Sequence, residues 1–250
     1  MDNLLTGADV SSDSPSAIRC VAFDAVGTLI EASPTVADAY SRVGRLHGSC
    51  RNSDDVSRRL EKAISENESR DLADEGGSLV TSEAIERKRW RWIVGEVFDD
   101  VDDFEACFDD LFEYFGRASS WRCFGDVGGA VARVAEQGLD FVIASNFDAR
   151  LHGVCAGLPG LVAARSIVVS SEVGCRKPGR IFYDAVVEAA GCAASEILMV
   201  GDDPANDYQG ALRCGLQASR IDRTSTEVSL LQPSRRPQVV SSLLDLEAWY

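Results

Sequence analysis

Residues 19–29 read RCVAFDAVGTL, and this stretch decides the fold. Cys20, Val21, Ala22 and Phe23 form a short, unbroken apolar run. A run of that length without alternation fits a strand buried on both faces of a parallel sheet. It delivers Asp24 to the strand's carboxyl end. In an open α/β sheet the ligand crevice lies outside those ends, and Gly27 lets the backbone turn closely around a bound group. Asp24 is therefore the residue around which a site is sought.

From about Gly125 onward the sequence alternates. A helix to Gln137, a strand over 140–145, a helix around Leu151 and a strand over 166–170 are predicted. A helix over 180–190, a strand over 197–201, a helix over 204–214 and a short strand over 218–221 follow. Strands alternating with helices predict an α/β fold with a Rossmann-like, doubly wound parallel sheet.

Between the first strand and this region lie four helical patterns. Ser33-Pro34 is predicted as N-cap and first residue of a helix with Val36, Tyr40, Val43 and Leu46 on one face. A polar helix over 54–71 carries Val56, Leu60 and Ile64 and ends near Gly76-Gly77. Thr81 or Ser82 caps a third, whose basic run 87–91 reads as a solvated face. Val101, Phe104, Phe108, Leu111, Phe112 and Phe115 mark the apolar stripe of a fourth. The expected organisation is a disordered tail over 1–17, a catalytic core from 18–31 and 118–250, and an inserted all-helical cap domain over 32–117. Residues 239–250 read as a closing amphipathic helix.

Composition excludes some function classes. With 25 Lys and Arg against 40 Asp and Glu, the net charge is −15, which repels nucleic acid and anionic membranes. No apolar run approaches a membrane span, and the first 17 residues lack the basic start and apolar centre of a signal peptide. A cytoplasmic location without nucleic-acid or membrane partners is expected. The eight cysteines fall at irregular spacings with no C-x-x-C pair, which predicts reduced thiols.

The predicted strand ends carry polar residues in register. Asp24 ends the first, Ser145 and Asn146 the second; Lys177 stands before Pro178 after the third, and Asp202, Asp203 and Asp207 follow the fourth. Singly, Ser145 could be an N-cap, Lys177 a surface lysine, and Asp203 and Asp207 a cap and a solvated acid. Jointly, several acids near one lysine and one serine make a site for a hard cation beside an anion.

In this order the residues resemble the four motifs of the haloacid dehalogenase-like (HAD) hydrolases. Residues 24–28 match the first motif, Asp-x-Asp-Gly-Thr, with Val26 in place of the second Asp; Ser145 matches the second and Lys177 the third. Gly201-Asp202-Asp203 with Asp207 matches the fourth. The stretches SNFDARL from Ser145 and RKPGRIFYDAV from Arg176 resemble the branch with a helical cap after the first motif. The resemblance implies Asp24 as the nucleophile forming an aspartyl-phosphate, with Lys177, Ser145, Asn146 and Thr28 holding substrate oxygens. It implies Mg²⁺ bound by Asp24, Asp202 and the Val26 carbonyl, with Asp203 or Asp207 completing or orienting that shell. A cap closing over the site points to a small phosphorylated metabolite.

The departure at Val26 leaves three readings open. In family phosphatases the second Asp protonates the leaving oxygen and activates water, which valine cannot do. The protein is then a phosphohydrolase with a weakened acid, or a phosphate- and metal-binding module without useful turnover. The third reading is a 2-haloacid dehalogenase-type hydrolase, whose corresponding position is not acidic but which works without Mg²⁺ and lacks Gly-Asp-Asp. Asp148 and His152 are the nearest substitutes for the missing acid, each with an ordinary helical alternative. His47 and Cys50 lack the further ligands a zinc site needs and read as a helix end.

Overall fold

The computed structural model describes residues 16–73, 79–224 and 238–249. Strand β1 (Cys20–Phe23) leads to β2 (Ile30–Ala32), helices α1 (Val36–Leu46), α2 (Ser53–Ala73), α3 (Glu83–Val97) and α4 (Phe104–Tyr114), and strand β3 (Trp121–Cys123). Then come α5 (Val127–Glu136), β4 (Asp140–Ser145), α6 (Arg150–Ala156), β5 (Ser166–Val169), α7 (Ser170–Val173), α8 (Arg180–Ala190) and β6 (Ile197–Gly201). A π-helical turn (Pro204–Gln209), α9 (Gly210–Arg213), β7 (Gln217–Ile221) and β8 (Val239–Val240) follow, ahead of a 3₁₀ segment (Leu243–Trp249).

The main sheet runs β5-β4-β1-β6-β7-β8, with every pairing parallel. Val21 and Phe23 pack on one face with Ile143 and Val200, while Cys20 and Ala22 pack on the other with Val142 and Met199. Leu243, Leu246 and Trp249 help cover the first face, and Phe182, Tyr183 and Val186 of α8 the second. Both faces are buried, which is why the β1 run shows no alternation. With β4 and β5 on one side of β1 and β6 to β8 on the other, the crevice opens at the β1 carboxyl end.

Helices α1 to α4 share a separate cluster built on Tyr40, Val56, Ile93, Phe108 and Leu111. The chain leaves and returns through β2 and β3, an antiparallel pair in which Ala32 faces Trp121. Three-residue strands carry too little periodicity to be predicted.

Several local expectations are corrected. Thr35, not Ser33, caps α1, its Oγ1 accepting from Asp38 N at 3.2 Å, because only the residue next to the first turn can reach that amide. Ser82 caps α3. Within the basic run of α3, Arg89 is not solvated but forms a buried ion pair with Glu86. The expected helix over 204–214 begins as a π turn, with Asp203 capping its first amides. Val239 and Val240 do not open a helix: two β-branched residues extend the β7 edge instead. The expected tail lies outside the described residues except for Ser16 and Ala17, and the Ser16 carbonyl accepts from Gln217 Nε2 at 2.9 Å. All eight cysteines are free thiols.

Candidate active site

β1 ends by handing the Asp24 amide to the Val200 carbonyl at 2.8 Å, so the carboxylate is set against β6 as well as β4. Asp24 is buried, and two donors meet its Oδ1: Lys177 Nζ at 2.7 Å and Ser145 Oγ at 3.2 Å. Oδ2 receives no bond from either. Lys177, also buried, gives its other protons to the Ala144 carbonyl at 2.9 Å and to Asp207 Oδ1 at 2.6 Å. Burial works against the Lys177 charge, but Asp207 and Asp24 together outweigh it, and the ammonium is held protonated well above its ordinary range.

Asn146 explains why Lys177 arrives there. Its Oδ1 accepts from Lys177 N at 2.8 Å and its Nδ2 donates to Lys177 O at 3.2 Å. The amide thereby staples the loop after β5 to the end of β4. Asn146 is thus a positioning residue here, with both polar ends engaged, and not a free substrate ligand.

Asp24, Asp202 and Asp207 each place a carboxylate oxygen within 4.8 Å of the others, against the single ammonium of Lys177. Asp202 is exposed at the mouth of the crevice and makes no hydrogen bond or ion pair with another described residue. Partial loss of water and the Asp24 charge push it up to about 6. The expectation that Asp203 serves the metal shell is corrected: its carboxylate accepts from Ala205 N and Asn206 N, both at 2.8 Å, and from Asn206 Nδ2 at 2.7 Å, so it is a helix cap. Asp207 orients the loop instead, accepting from Asp203 N at 3.1 Å. Thr28 is fully buried with Oγ1 unpartnered, and its carbonyl accepts from Arg223.

The nearest substitutes for an acid at position 26 are both engaged. Asp148 takes a two-pronged contact from Arg150, Nε and Nη2 lying 2.7 and 2.6 Å from its oxygens. His152 Nε2 lies 2.9 Å from Glu172 Oε2, away from Asp24. His47 meets Asp110 at 2.8 Å, which accounts for it without a metal. The sequence did not reveal that Val26 lies on the wall of an apolar cavity with Tyr40, Trp90, Phe112, Trp121 and Phe147.

Gly27 turns the chain between Asp24 and this wall with φ of +86°, and a Cβ there would lie 2.3 Å from Asp202 Oδ2. Gly27→Ala is therefore expected to lower stability by about 1–2 kcal/mol from left-handed strain alone, read as a lower urea midpoint with an unchanged m-value.

A family model for haloacid dehalogenase-like hydrolases matches residues 18–215. The haloacid dehalogenase-like hydrolase domain-containing protein 3 of Mus musculus is 29% identical over 210 residues, 80% of each chain. Among solved structures, the HAD-hydrolase YfnB from Bacillus subtilis, bound to magnesium, superposes with a TM-score of 0.67 at 17% identity, over 92% of this chain and 97% of that one. The L-2-haloacid dehalogenase from Xanthobacter autotrophicus gives a TM-score of 0.67 at 20% identity, over 92% and 96%. These two likenesses carry the fold alone. The family match does more, since it runs from the strand bearing Asp24 past Ser145 and Lys177 to Asp207, and by it the chain belongs to the haloacid dehalogenase-like hydrolases.

Proposed function

We propose that the protein is a Mg²⁺-dependent phosphohydrolase acting on a small phosphorylated substrate through an aspartyl-phosphate on Asp24. One observation carries the reading. Lys177 and Ser145 both hold Asp24 Oδ1, leaving Oδ2 to attack, while Asp202 stands beside it without a partner.

The residues fit a divalent cation. Carboxylate oxygens this close repel one another, Asp202 has no other partner, and Gly27 keeps a Cβ out of the space in front of it. Asp24, Asp202 and the Val26 carbonyl would hold Mg²⁺, which supplies charge neutralisation for phosphoryl oxygens. The chain's own residues do the rest. Asp24 is prevented from rotating by its two Oδ1 donors, Lys177 offsets charge on the transferred group, and the Ser145 hydroxyl stands next to it. The four helices act in this reading as a cap that limits access and excludes water. No helix among the described residues is long and apolar enough to cross a membrane; a cytoplasmic location belongs to the proposal.

The apolar surroundings of Val26 favour a second reading, C-halogen hydrolysis by the same Asp24. Against it stand Asp202 and Asp207, which an anionic haloacid does not require. Phosphate release from p-nitrophenyl phosphate and halide release from L-2-chloropropionate, each with Mg²⁺ or with EDTA, separate the two. Phosphate release that EDTA abolishes is expected, with no halide. EDTA-insensitive halide release overturns the proposal, and phosphate binding without either product returns the chain to the binding-module reading.

A further inference from the structure

Beside Val26 the helices and the core line a cavity of about 340 Å³. It belongs to the site: Val26 and Asn146, the first two residues past Asp24 and the second one past Ser145, both line it. Tyr40, Trp90 and Phe112 come from α1, α3 and α4, and Phe147 from the loop after β4. The volume lies within the about 300–1,000 Å³ of small-molecule pockets. An apolar cavity of about 150 Å³ already takes benzene, so this one has room for a larger ring system.

Most of its few polar groups are engaged. Arg150, the one charged residue on the wall, is neutralised by Asp148, and its guanidinium lies 3.5 Å from the Phe112 ring centroid. The Asn146 amide is bound to the Lys177 backbone. That leaves the Tyr40 hydroxyl, which is buried, and the Trp90 indole N–H; neither is hydrogen-bonded to a described residue. A sugar or amino-acid group placed here would lose water from several hydroxyls or charges and find one phenol and one indole N–H in return. Each polar group left unpaired lowers affinity roughly tenfold or more.

Position 26 bears on the same question. Valine continues the apolar wall where an acid would interrupt it, and its presence leaves no proton donor for the departing oxygen. A leaving group whose ring disperses the negative charge needs that proton least.

We infer that this cavity holds the organic group of the substrate and that the substrate class is the aryl phosphate monoester, an uncharged aromatic ring esterified to phosphate. The inference rests on the phosphohydrolase reading above. In the first step the Asp24 Oδ2–P bond forms as the P–O bond to the ring oxygen breaks; the aryloxide leaves with the bonding pair and takes a proton from water. A second water then attacks phosphorus and loses a proton to solvent, releasing inorganic phosphate and restoring the Asp24 carboxylate.

The test is calorimetry on the full chain with Mg²⁺, using 2-naphthylmethylphosphonate and methylphosphonate, which cannot be hydrolysed, with 2-naphthol as a phosphate-free control. The aryl phosphonate is expected to bind at least about thirtyfold more tightly than methylphosphonate. Ile64→Asp, which puts a charge on the cavity wall, should abolish that difference and leave methylphosphonate affinity unchanged; Trp90→Ala, a milder change, should reduce it. In steady state, kcat/KM for 2-naphthyl phosphate should exceed that for glucose 6-phosphate by at least about a hundredfold. Equal affinity for the two phosphonates overturns the inference and leaves the phosphohydrolase reading intact. Binding of 2-naphthol with no binding of either phosphonate overturns both.

Discussion

Val26→Asp is expected to raise the hydrolysis of alkyl phosphates at least about 10²-fold, the lower end of what a positioned general acid and base contributes. Among the described residues, both candidates near the β4 end are engaged elsewhere. Asp148 is held by Arg150, and His152 pairs with Glu172. Position 26 is two residues past Asp24, 39% exposed, and lines the cavity. A carboxyl introduced there is partly shielded from water by aromatic neighbours such as Trp121 and Phe147, which raises its pKa in the direction an acid catalyst requires. An alkoxide is a strong base and needs that proton; a nitrophenolate does not. Phosphate release from glucose 6-phosphate should therefore respond far more than release from p-nitrophenyl phosphate. The wild type should also accumulate phosphate on Asp24, visible in a rapid-quench burst, because the second half-reaction lacks its base. Efficient wild-type turnover of glucose 6-phosphate would sink this account.

Lys177→Met should destabilise the fold by about 3–5 kcal/mol, the range for breaking one side of a buried ion pair. The ammonium stands between Asp24 and Asp207 at 2.7 and 2.6 Å, and all three side chains are buried. Methionine keeps much of the apolar stem but leaves two neighbouring carboxylates facing each other. The double variant Lys177→Met/Asp207→Leu removes the repulsion between the two carboxylates and should recover part of the loss, the remainder being the cost of Asp24 left buried without its ammonium. Urea unfolding of the four proteins of this cycle measures the coupling. A single variant within about 1 kcal/mol of wild type would show the pair to be structurally dispensable.

Much of the site could be read from the chain because its residues end apolar runs. Asp24, Ser145 and Asp202 each follow a stretch too continuous to be anything but a buried strand, and one sheet edge brings them together. Lys177 was legible as the only lysine in the loop after β5. Asp203 was not, because a helix cap and a metal ligand call for the same carboxylate, and only the amides of Ala205 and Asn206 decide between them. Asn146 likewise looked like a ligand until its partners were known. The strands β2, β3 and β8, of two or three residues, fall below any periodicity. The cavity was invisible for a different reason: Tyr40, Trp90, Phe112 and Phe147 each serve a plausible apolar face in their own helix or loop. Their convergence over Val26 is a property of the tertiary packing alone.

The pairing of Ala32 with Trp121 makes the stretch from 33 to 120 a cassette. Its two ends meet where Ser33 N donates to the Ser120 carbonyl at 2.9 Å, and a two-residue hairpin could span the same gap. Every strand of the six-stranded sheet, and every group bonded to Asp24, is encoded outside it. The helices keep their own apolar cluster, with Phe115 at the seam where it meets that of the core. An exchange of the segment at this rung replaces α1 to α4 while Asp24 and Lys177 stay in register, so the helical part of the cavity wall and the acidic cluster are free to diverge at different rates along the same gene.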